Sequence, residues 1–377
     1  MKKGFIVAGE ASAELYAIRL VAEMRKNFQS LDISGIGGDR FGEAGITLIE
    51  HYANISVIGV AEVISHLKKI NQAIKNTVQW IKNNNPDFVI LIDLPDFNFK
   101  IIKKIRRWFK GKIIYLVSPQ VWAWREKRKF FIKENVDNMI VILPFEKKIY
   151  EEIGFNVEYL GHPLLDIVRQ TLDNRTFREK YAIKEKNRII SIFPGSREKE
   201  VLSHKDTLKK VIERLKLAYS GMEFCVVPAN EKLRGVITDS FNGSRVKVVD
   251  KEDSYNAMYC SDVVIAKSGT TTLEAAIAKK PTVVFYKVNK LSYLIAKCVI
   301  DVPYVSLPNL VLNDNVFPEF IQKEFTADNI FNAVKRFLED ADLYIYTVER
   351  LTELEKILGE KGFFERAAKK IKEWVDG

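Results

Sequence analysis

The chain has 377 residues, of which 47% are hydrophobic and 29% charged. That apolar content excludes a disordered chain, and the length suffices for two domains, each with its own core. The net charge of +10 fits a nucleic acid, an anionic membrane face or a phosphorylated substrate; Cys225, Cys260 and Cys298 are too few and too scattered for a disulfide framework or a metal knuckle.

The opening MKKGFIVAGEA reaches Glu10 and Glu14 before any adequate apolar run, so it reads as a first strand rather than a signal peptide. No stretch is long and apolar enough to cross a bilayer, and the expectation is a cytoplasmic protein whose surface can still touch a membrane.

Residues 4–8 read as a buried parallel strand, residues 9–12 as the turn after it, and a helix follows to about Asn27. In a doubly wound fold this first loop lies at the ligand edge of the sheet. The glycine spacing of a dinucleotide fingerprint is absent, and Ser12 has the plain alternative of capping the helix. Residues 33–36 read as a second strand.

From Asn54 the chain turns densely apolar. Ile55, Val57, Ile58, Val60, Val63, Ile64 and Leu67 are followed by Lys68, Lys69 and Lys75. This set is either core or a lipid-facing surface beside cations. A helix follows to about Asn83.

Residues 87–94, DFVILIDL, form the clearest strand of the first half. Their continuous apolar middle suits a sheet covered on both faces. Asp93, Pro95 and Asp96 come at the C-terminal end, where α/β proteins place their sites, and a carboxylate there can serve as a general base. Residues 112–117 are another strand, followed by the aromatic and basic VWAWREKRKFF. Trp122, Trp124, Arg125, Lys127, Arg128 and Lys129 suit a sugar ring, an acyl chain, a phosphate or a nucleic acid, but no nucleic-acid module surrounds them. Strands at 138–143 and 155–159 lead to Gly161-His162-Pro163. His162 has no companions at ligand spacing, so the expectation is no metal and an interdomain hydrogen bond.

The second half opens with RIISIFPGSREKEV at 188–201, read as strand, tight loop and helix. Gly195 permits a close backbone approach, Ser196 caps the helix, and Arg197 adds a permanent cation, a corner that suits a phosphate or diphosphate. Strands at 223–228, 246–249 and 262–266 follow. SGTTTLEA at 268–275 is a second corner of this kind, with Ser268, Gly269 and Thr270 at a helix start. There Glu274 either accepts from ribose hydroxyls or favours the helix dipole. A strand at 281–286, a polar loop after Asn309 and helices at 327–338, 343–358 and 363–375 complete the chain. A sheet pattern repeated in both halves predicts two α/β domains with a cleft between them.

At these motifs the chain resembles the lipid-A-disaccharide synthase family. The resemblance rests on GEAS (9–12), DLPDFN (93–98), SPQVWAWREKR (118–128), LPFE (143–146), GHPLLD (161–166), PGSREKEV (194–201), SGTTTLEA (268–275) and YVSLPN (304–309), in consistent order along nearly the whole chain. It implies a GT-B fold, with two facing Rossmann-like domains, an interdomain cleft and a helical C-terminus. The expected division is an N-terminal acceptor and lipid-side domain at 1–165, a UDP-binding domain at 166–340 and C-terminal helices at 341–377, which return to the first domain or are exchanged between subunits.

The implied reaction joins UDP-2,3-diacylglucosamine to 2,3-diacylglucosamine 1-phosphate, forming a β-1,6-linked disaccharide and releasing UDP, with no cofactor. Asp96 resembles the catalytic base. Ser196, Arg197, Ser268, Gly269, Thr270, Glu274 and Asn309 resemble the UDP side. Glu10, Ser12, Asp93, Trp122, Arg125 and His162 are assigned to acceptor or loop positioning, and Ile58, Val60, Val63, Ile64 and Leu67 to lipid contact.

After GEAS this chain has Ala13-Glu14 where the family usually reads Gly-Asp, which alters the geometry near the first helix. The expected partners are an anionic membrane surface at the inner face of a Gram-negative inner membrane and a second copy of the chain, not a nucleic acid. The rival readings are another UDP-sugar enzyme, such as an epimerase or a transferase with a soluble acceptor, and a basic nucleic-acid-binding protein.

Overall fold

The segment FVILI at Phe88–Ile92 is buried along its whole length and lies inside a parallel sheet, as a continuous apolar run requires. This computed structural model describes residues 1–55, 63–288 and 302–377. They cluster as two units: Met1–Asp166 together with Gly359–Gly377, and Ile167–Leu358.

The first unit holds β1 (Lys2–Ala8), β2 (Leu31–Gly37), β3 (Thr47–His51), β4 (Phe88–Ile92), β5 (Lys112–Leu116), β6 (Asn138–Val141) and β7 (Glu158–Tyr159). Their order is β3-β2-β1-β4-β5-β6-β7, parallel throughout. Val7 lies opposite Leu91, so chain order reverses between β1 and β4, and the loops after those strands flank the switch point. Phe5, Val7, Leu91, Ile101 and Tyr115 are among the fully buried core residues.

The second unit holds β8 (Arg188–Phe193), β9 (Met222–Val226), β10 (Lys247–Val248), β11 (Val263–Lys267), β12 (Thr282–Tyr286) and β13 (Glu319–Ile321). Their order is β10-β9-β8-β11-β12-β13, again parallel. The reversal falls between β8 and β11, where Phe193 pairs with Ala266. Ile190, Ile192, Phe224, Ile265 and Phe285 fill the core.

The tail expected as one piece at 341–377 is divided. Helix Ala341–Ile357 buries Leu351 and Leu354 within the second unit, where Lys279 Nζ donates to the Leu351 carbonyl at 3.0 Å. Helix Phe363–Asp376 belongs to the first unit. It packs Phe364 6.1 Å from Tyr16 of helix Ala11–Asn27 and buries Phe363, Ala367, Ala368 and Ile371. Asp166 fastens its start, its carboxylate accepting from the Gly362 N–H at 2.6 Å and the Phe364 N–H at 3.3 Å.

The helix Leu307–Leu312 runs through Asn309, ahead of the expected loop, because Pro308 occupies the first turn, where its missing N–H costs nothing. Among the described residues no helix is long and apolar enough to cross a membrane. Of the residues assigned to lipid, Ile58 and Val60 lie outside the described residues, as do the side chains of Val63 and Ile64. Leu67 is 45% exposed, beside exposed Lys68 and Lys69, whereas Ile55 is core.

Candidate active site

The two anion corners of the second unit meet at its switch point. β8 ends in Pro194-Gly195, and Arg197 is the N-cap of helix Glu198–Ala218. Gly195 has φ 139°, and a Cβ there would stand 2.8 Å from Glu200 Cβ, so the tight turn requires glycine. Ser196 does not cap through its side chain. Its backbone N–H instead donates to Glu200 Oε2 at 2.9 Å. Arg197 is 80% exposed, with Nη1 4.0 Å from Glu200 Oε1.

β11 ends in Lys267, whose Nζ lies 3.2 Å from the same Glu200 oxygen. Burial alone would raise the Glu200 carboxyl, but Lys267, the Ser196 N–H and Arg197 outweigh it and hold the group below its ordinary value. A half-buried carboxylate thus gathers two cations and the Ser196 amide where the β8 and β11 loops adjoin.

Beyond Lys267, Ser268 is buried and its hydroxyl donates to the Val305 carbonyl at 2.7 Å. Gly269 is the N-cap of helix Thr270–Ile277, with open space where a Cβ would stand, and Thr270 is exposed. Glu274 lies one turn on. Burial pushes its carboxyl up to about 7, although Tyr255 donates to Oε1 at 3.1 Å.

Asn309 is placed differently from expectation. It has no exposure, its Nδ2 donates to the Phe317 carbonyl at 2.8 Å and to Glu319 Oε1 at 2.9 Å, and its Oδ1 accepts from the Phe317 N–H at 2.9 Å. The amide is spent inside the chain, so Asn309 acts as a clamp on its own segment rather than as an open ligand contact.

In the first unit the loop after β4 is strained. Asp93 and Leu94 stand consecutively at φ 48° and 46°, left-handed positions that ordinary side chains avoid. The Asp93 carbonyl is pinned by Asn98 Nδ2 at 2.6 Å and the Tyr115 hydroxyl at 2.5 Å. Asn98 is therefore a buried brace, and Pro95 opens helix Pro95–Ile105. Burial, followed by the charge of Glu10, pushes the Asp93 carboxyl up to about 6. Glu10 is exposed in the neighbouring β1 loop and accepts from the Ser12 hydroxyl, so Ser12 does not take the plain alternative of capping the helix.

Glu14, the departure from the family pattern, is buried. It accepts from the Gly38 N–H at 2.8 Å and from Arg40 at 3.2 Å, tying the β2 loop to the first helix.

Asp96 lies in the first turn of helix Pro95–Ile105, 70% exposed. Its Oδ1 accepts from Arg125 Nη1 at 3.2 Å and from Arg128 Nη2. Trp122 is partly buried; its Nε1 donates to Glu146 Oε1 at 3.2 Å, and its ring meets Phe145 edge-on at 5.2 Å. Glu146 Oε2 accepts from the Leu143 and Ile142 N–H groups at 3.0 and 3.3 Å, yet burial still pushes the carboxyl up to about 7.

His162 serves its own loop. It is 2% exposed, its Nδ1 accepts from the Leu164 N–H at 3.1 Å, and burial pulls it down to about 3, so it is a neutral brace of its own turn.

The structure adds Glu146, Glu200 and Lys267 to the candidate residues and gives Arg128 its partner in Asp96. Glu146 and Glu200 lie inside LPFE and PGSREKEV, and Lys267 directly precedes SGT. No sequence signal reports that Glu200, in the helix after β8, touches Lys267 at the end of β11. Among the described residues no group of three or more histidine, cysteine or acidic side chains is arranged to hold a metal ion.

A family model described as Lipid-A-disaccharide synthetase matches residues 4–370. The chain is 36% identical over 364 residues to the lipid-A-disaccharide synthase of Geobacter sulfurreducens, covering 96% of this chain and 94% of that one. It is 35% identical over 385 residues to that of Persephonella marina, covering 99% of each.

Solved structures with the same fold include an S. aureus MnaA–UDP co-structure (TM-score 0.67, 15% identity, 100% of this chain and 97% of that one). Another is the calicheamicin glycosyltransferase CalG4 (TM-score 0.62, 12% identity, 100% and 99%). The fold is thus of the GT-B type. With the loops after β1, β4, β8 and β11 all inside the matched span, the chain belongs to the lipid-A-disaccharide synthase family, the glycosyltransferases of lipid A biosynthesis.

Proposed function

We propose that the chain transfers the diacylglucosaminyl group of UDP-2,3-diacylglucosamine to the 6-hydroxyl of 2,3-diacylglucosamine 1-phosphate. The observation that carries this reading is the convergence of Arg197, Lys267 and the Ser196 N–H at the β8 and β11 loops, a cationic corner suited to a departing diphosphate. Asp96 takes the proton of the acceptor hydroxyl. The acceptor oxygen forms a bond to the donor's anomeric carbon, the bond from that carbon to the UDP oxygen breaks, and UDP leaves with the electron pair.

Arg197 and Lys267 stabilise the diphosphate, and the helix start at Gly269–Thr270 adds backbone N–H groups. Glu274 accepts from ribose hydroxyls. Asn309 and Ser268 act at one remove, Asn309 by clamping residues 309–319 and Ser268 by tying its loop to Val305. Glu10, Ser12 and Trp122 shape the acceptor side.

A second assignment of the base is Asp93. It is favoured by a carboxyl pushed up to about 6, nearer the working range of a general base at neutral pH. Asp93→Asn and Asp96→Asn compared in single-turnover transfer separate the two assignments.

The substrates are lipids, so the enzyme works against the inner face of the inner membrane. Exposed Leu67 beside Lys68 and Lys69 supports that contact. A homodimer is part of the same reading, with exposed Ile345 and Tyr346 offering apolar surface to a second copy. A monomer mass over a wide concentration range would remove it.

The activity test is incubation with acylated donor and acceptor, scoring disaccharide and UDP together. Turnover of UDP-N-acetylglucosamine without acyl chains, with no disaccharide formed, would favour the UDP-sugar alternative.

A further inference from the structure

Asp96 does not stand free. Arg125 Nη1, at 3.2 Å, and Arg128 Nη2 both reach the same oxygen, Oδ1. The two guanidinium groups share a platform: their central carbons lie 4.4 and 5.0 Å from the Trp124 ring centroid, and that of Arg128 lies 5.6 Å from Phe99. Arg125 is held at φ 53°, a left-handed position that aims its side chain back over that ring. Arg128 is only 12% exposed, so its charge is largely stripped of water.

Nearby Lys129 is paired with Glu126 at 2.5 Å, which leaves Asp96, among the described residues, as the carboxylate facing two cations. One negative charge against two positive ones leaves the cluster short of an anion. A phosphate monoester, with about −1.5 to −2 charge and three acceptor oxygens, matches that deficit and the forked donors better than a carboxylate touching through one oxygen.

We propose that Arg125 and Arg128, on the Trp124 platform, form the binding subsite for the acceptor's phosphate monoester, and that Asp96 occupies it until the acceptor arrives. The proposal rests on the transfer reading above and deepens it. Arriving phosphate takes both guanidinium groups and releases the Asp96 carboxylate, which is then available to the acceptor hydroxyl. The Arg125–Asp96 pair is exposed on both sides and Asp96 itself is 70% exposed, so the carboxylate is held weakly enough to be exchanged in this way. The arrangement couples the freeing of the base to the presence of the molecule it must deprotonate.

A phospholipid headgroup offers a related chemistry, a phosphodiester with a single charge. The experiment therefore has two ligand arms. Short-chain 2,3-diacylglucosamine 1-phosphate and its dephosphorylated counterpart are titrated into the full-length protein, and vesicles containing phosphatidylglycerol are tested separately. The variants are Arg125→Gln, Arg128→Gln, Arg128→Lys and Asp96→Asn.

The subsite requires each Gln variant to weaken the phosphorylated acceptor about tenfold or more while leaving the dephosphorylated one and UDP unchanged. Arg128→Lys should recover part of that loss. Asp96→Asn should bind the phosphorylated acceptor several-fold more tightly, since the internal competitor is gone.

Equal losses on both acceptors, an unchanged phosphate preference in Asp96→Asn, or an effect confined to vesicle binding would each overturn the subsite. The readout is affinity, so it stands apart from the base assignment. Wild-type transfer by Asp96→Asn would overturn the base and leave the subsite standing, and a wild-type protein that binds neither acceptor would overturn the transfer reading itself.

Discussion

Lys267 and Glu200 join two loops that lie 67 residues apart in sequence, with Nζ 3.2 Å from Oε1. Lys267 is the last residue of β11, and Glu200 lies in the first turn of the helix after β8. Because β8 and β11 are neighbours at the switch point, this pair turns two separate sequence motifs into one cationic corner.

That corner makes the donor side testable. Lys267→Met and Arg197→Ala should each weaken UDP binding by roughly 1.5–3 kcal/mol, the range for a lost charge-assisted contact. Glu274→Ala should instead narrow the preference for UDP over 2′-deoxy-UDP. Calorimetric titration of the three variants with both nucleotides distinguishes these effects. Wild-type affinities throughout would move the nucleotide elsewhere.

Glu146 gives the first unit a pH signature. Folded Glu146 keeps its proton until about pH 7, because burial disfavours its charge, whereas an ordinary glutamic acid releases it near 4.5. The folded state thus binds the extra proton between those values. This contribution to stability is full below about pH 4.5 and is lost as pH rises to about 7.

Glu146→Gln removes that dependence while keeping a side chain that can accept from Trp122. The difference between wild-type and variant stability should therefore fall across this window by up to roughly 3 kcal/mol. Urea unfolding midpoints at pH 5, 6, 7 and 8 check it, and parallel profiles would contradict it.

Asp166 carries the return of the chain into the first unit. Asp166→Ala leaves the Gly362 and Phe364 N–H groups without their carboxylate, at a cost of about 0.5–2 kcal/mol for a lost cap. Amide hydrogen exchange at residues 362–367 should quicken while that of β4 stays unchanged. Equal protection in both proteins would contradict this role.

Leu67→Ser tests the lipid-facing surface at a residue that is already exposed. The substitution should preserve the circular dichroism spectrum and weaken binding to phosphatidylglycerol vesicles by roughly 1 kcal/mol or more. Unchanged vesicle binding would remove Leu67 from the membrane face.

The sheets were legible because β1, β4, β5, β8 and β11 are continuous apolar runs stopped by turn residues, and a parallel sheet covered on both faces demands that pattern. The loops at the switch points were legible for the same reason. β3, whose TLIEH is only partly buried, carries no such signal and was missed.

Side-chain roles were harder to read. Asn309 looks like a polar ligand in sequence, but burial makes it an internal brace, and nothing in the sequence shows that His162 turns its hydrogen bond onto its own loop. The partners of Asp96 lie 29 and 32 residues away and meet it only once β4 and β5 are paired. The strain at Asp93 and Leu94 likewise depends on Asn98 and Tyr115 reaching back to one carbonyl, which no local pattern announces.

The measurement that bears most directly on the transfer mechanism is single-turnover disaccharide formation by Asp96→Asn with saturating donor and acceptor, beside a UDP titration of the same protein. An amide cannot accept the proton. The account therefore requires wild-type UDP affinity together with a loss of transfer of about 10²–10⁴-fold, the usual contribution of a positioned base. Transfer at the wild-type rate with chemistry limiting would show that Asp96 is not the base.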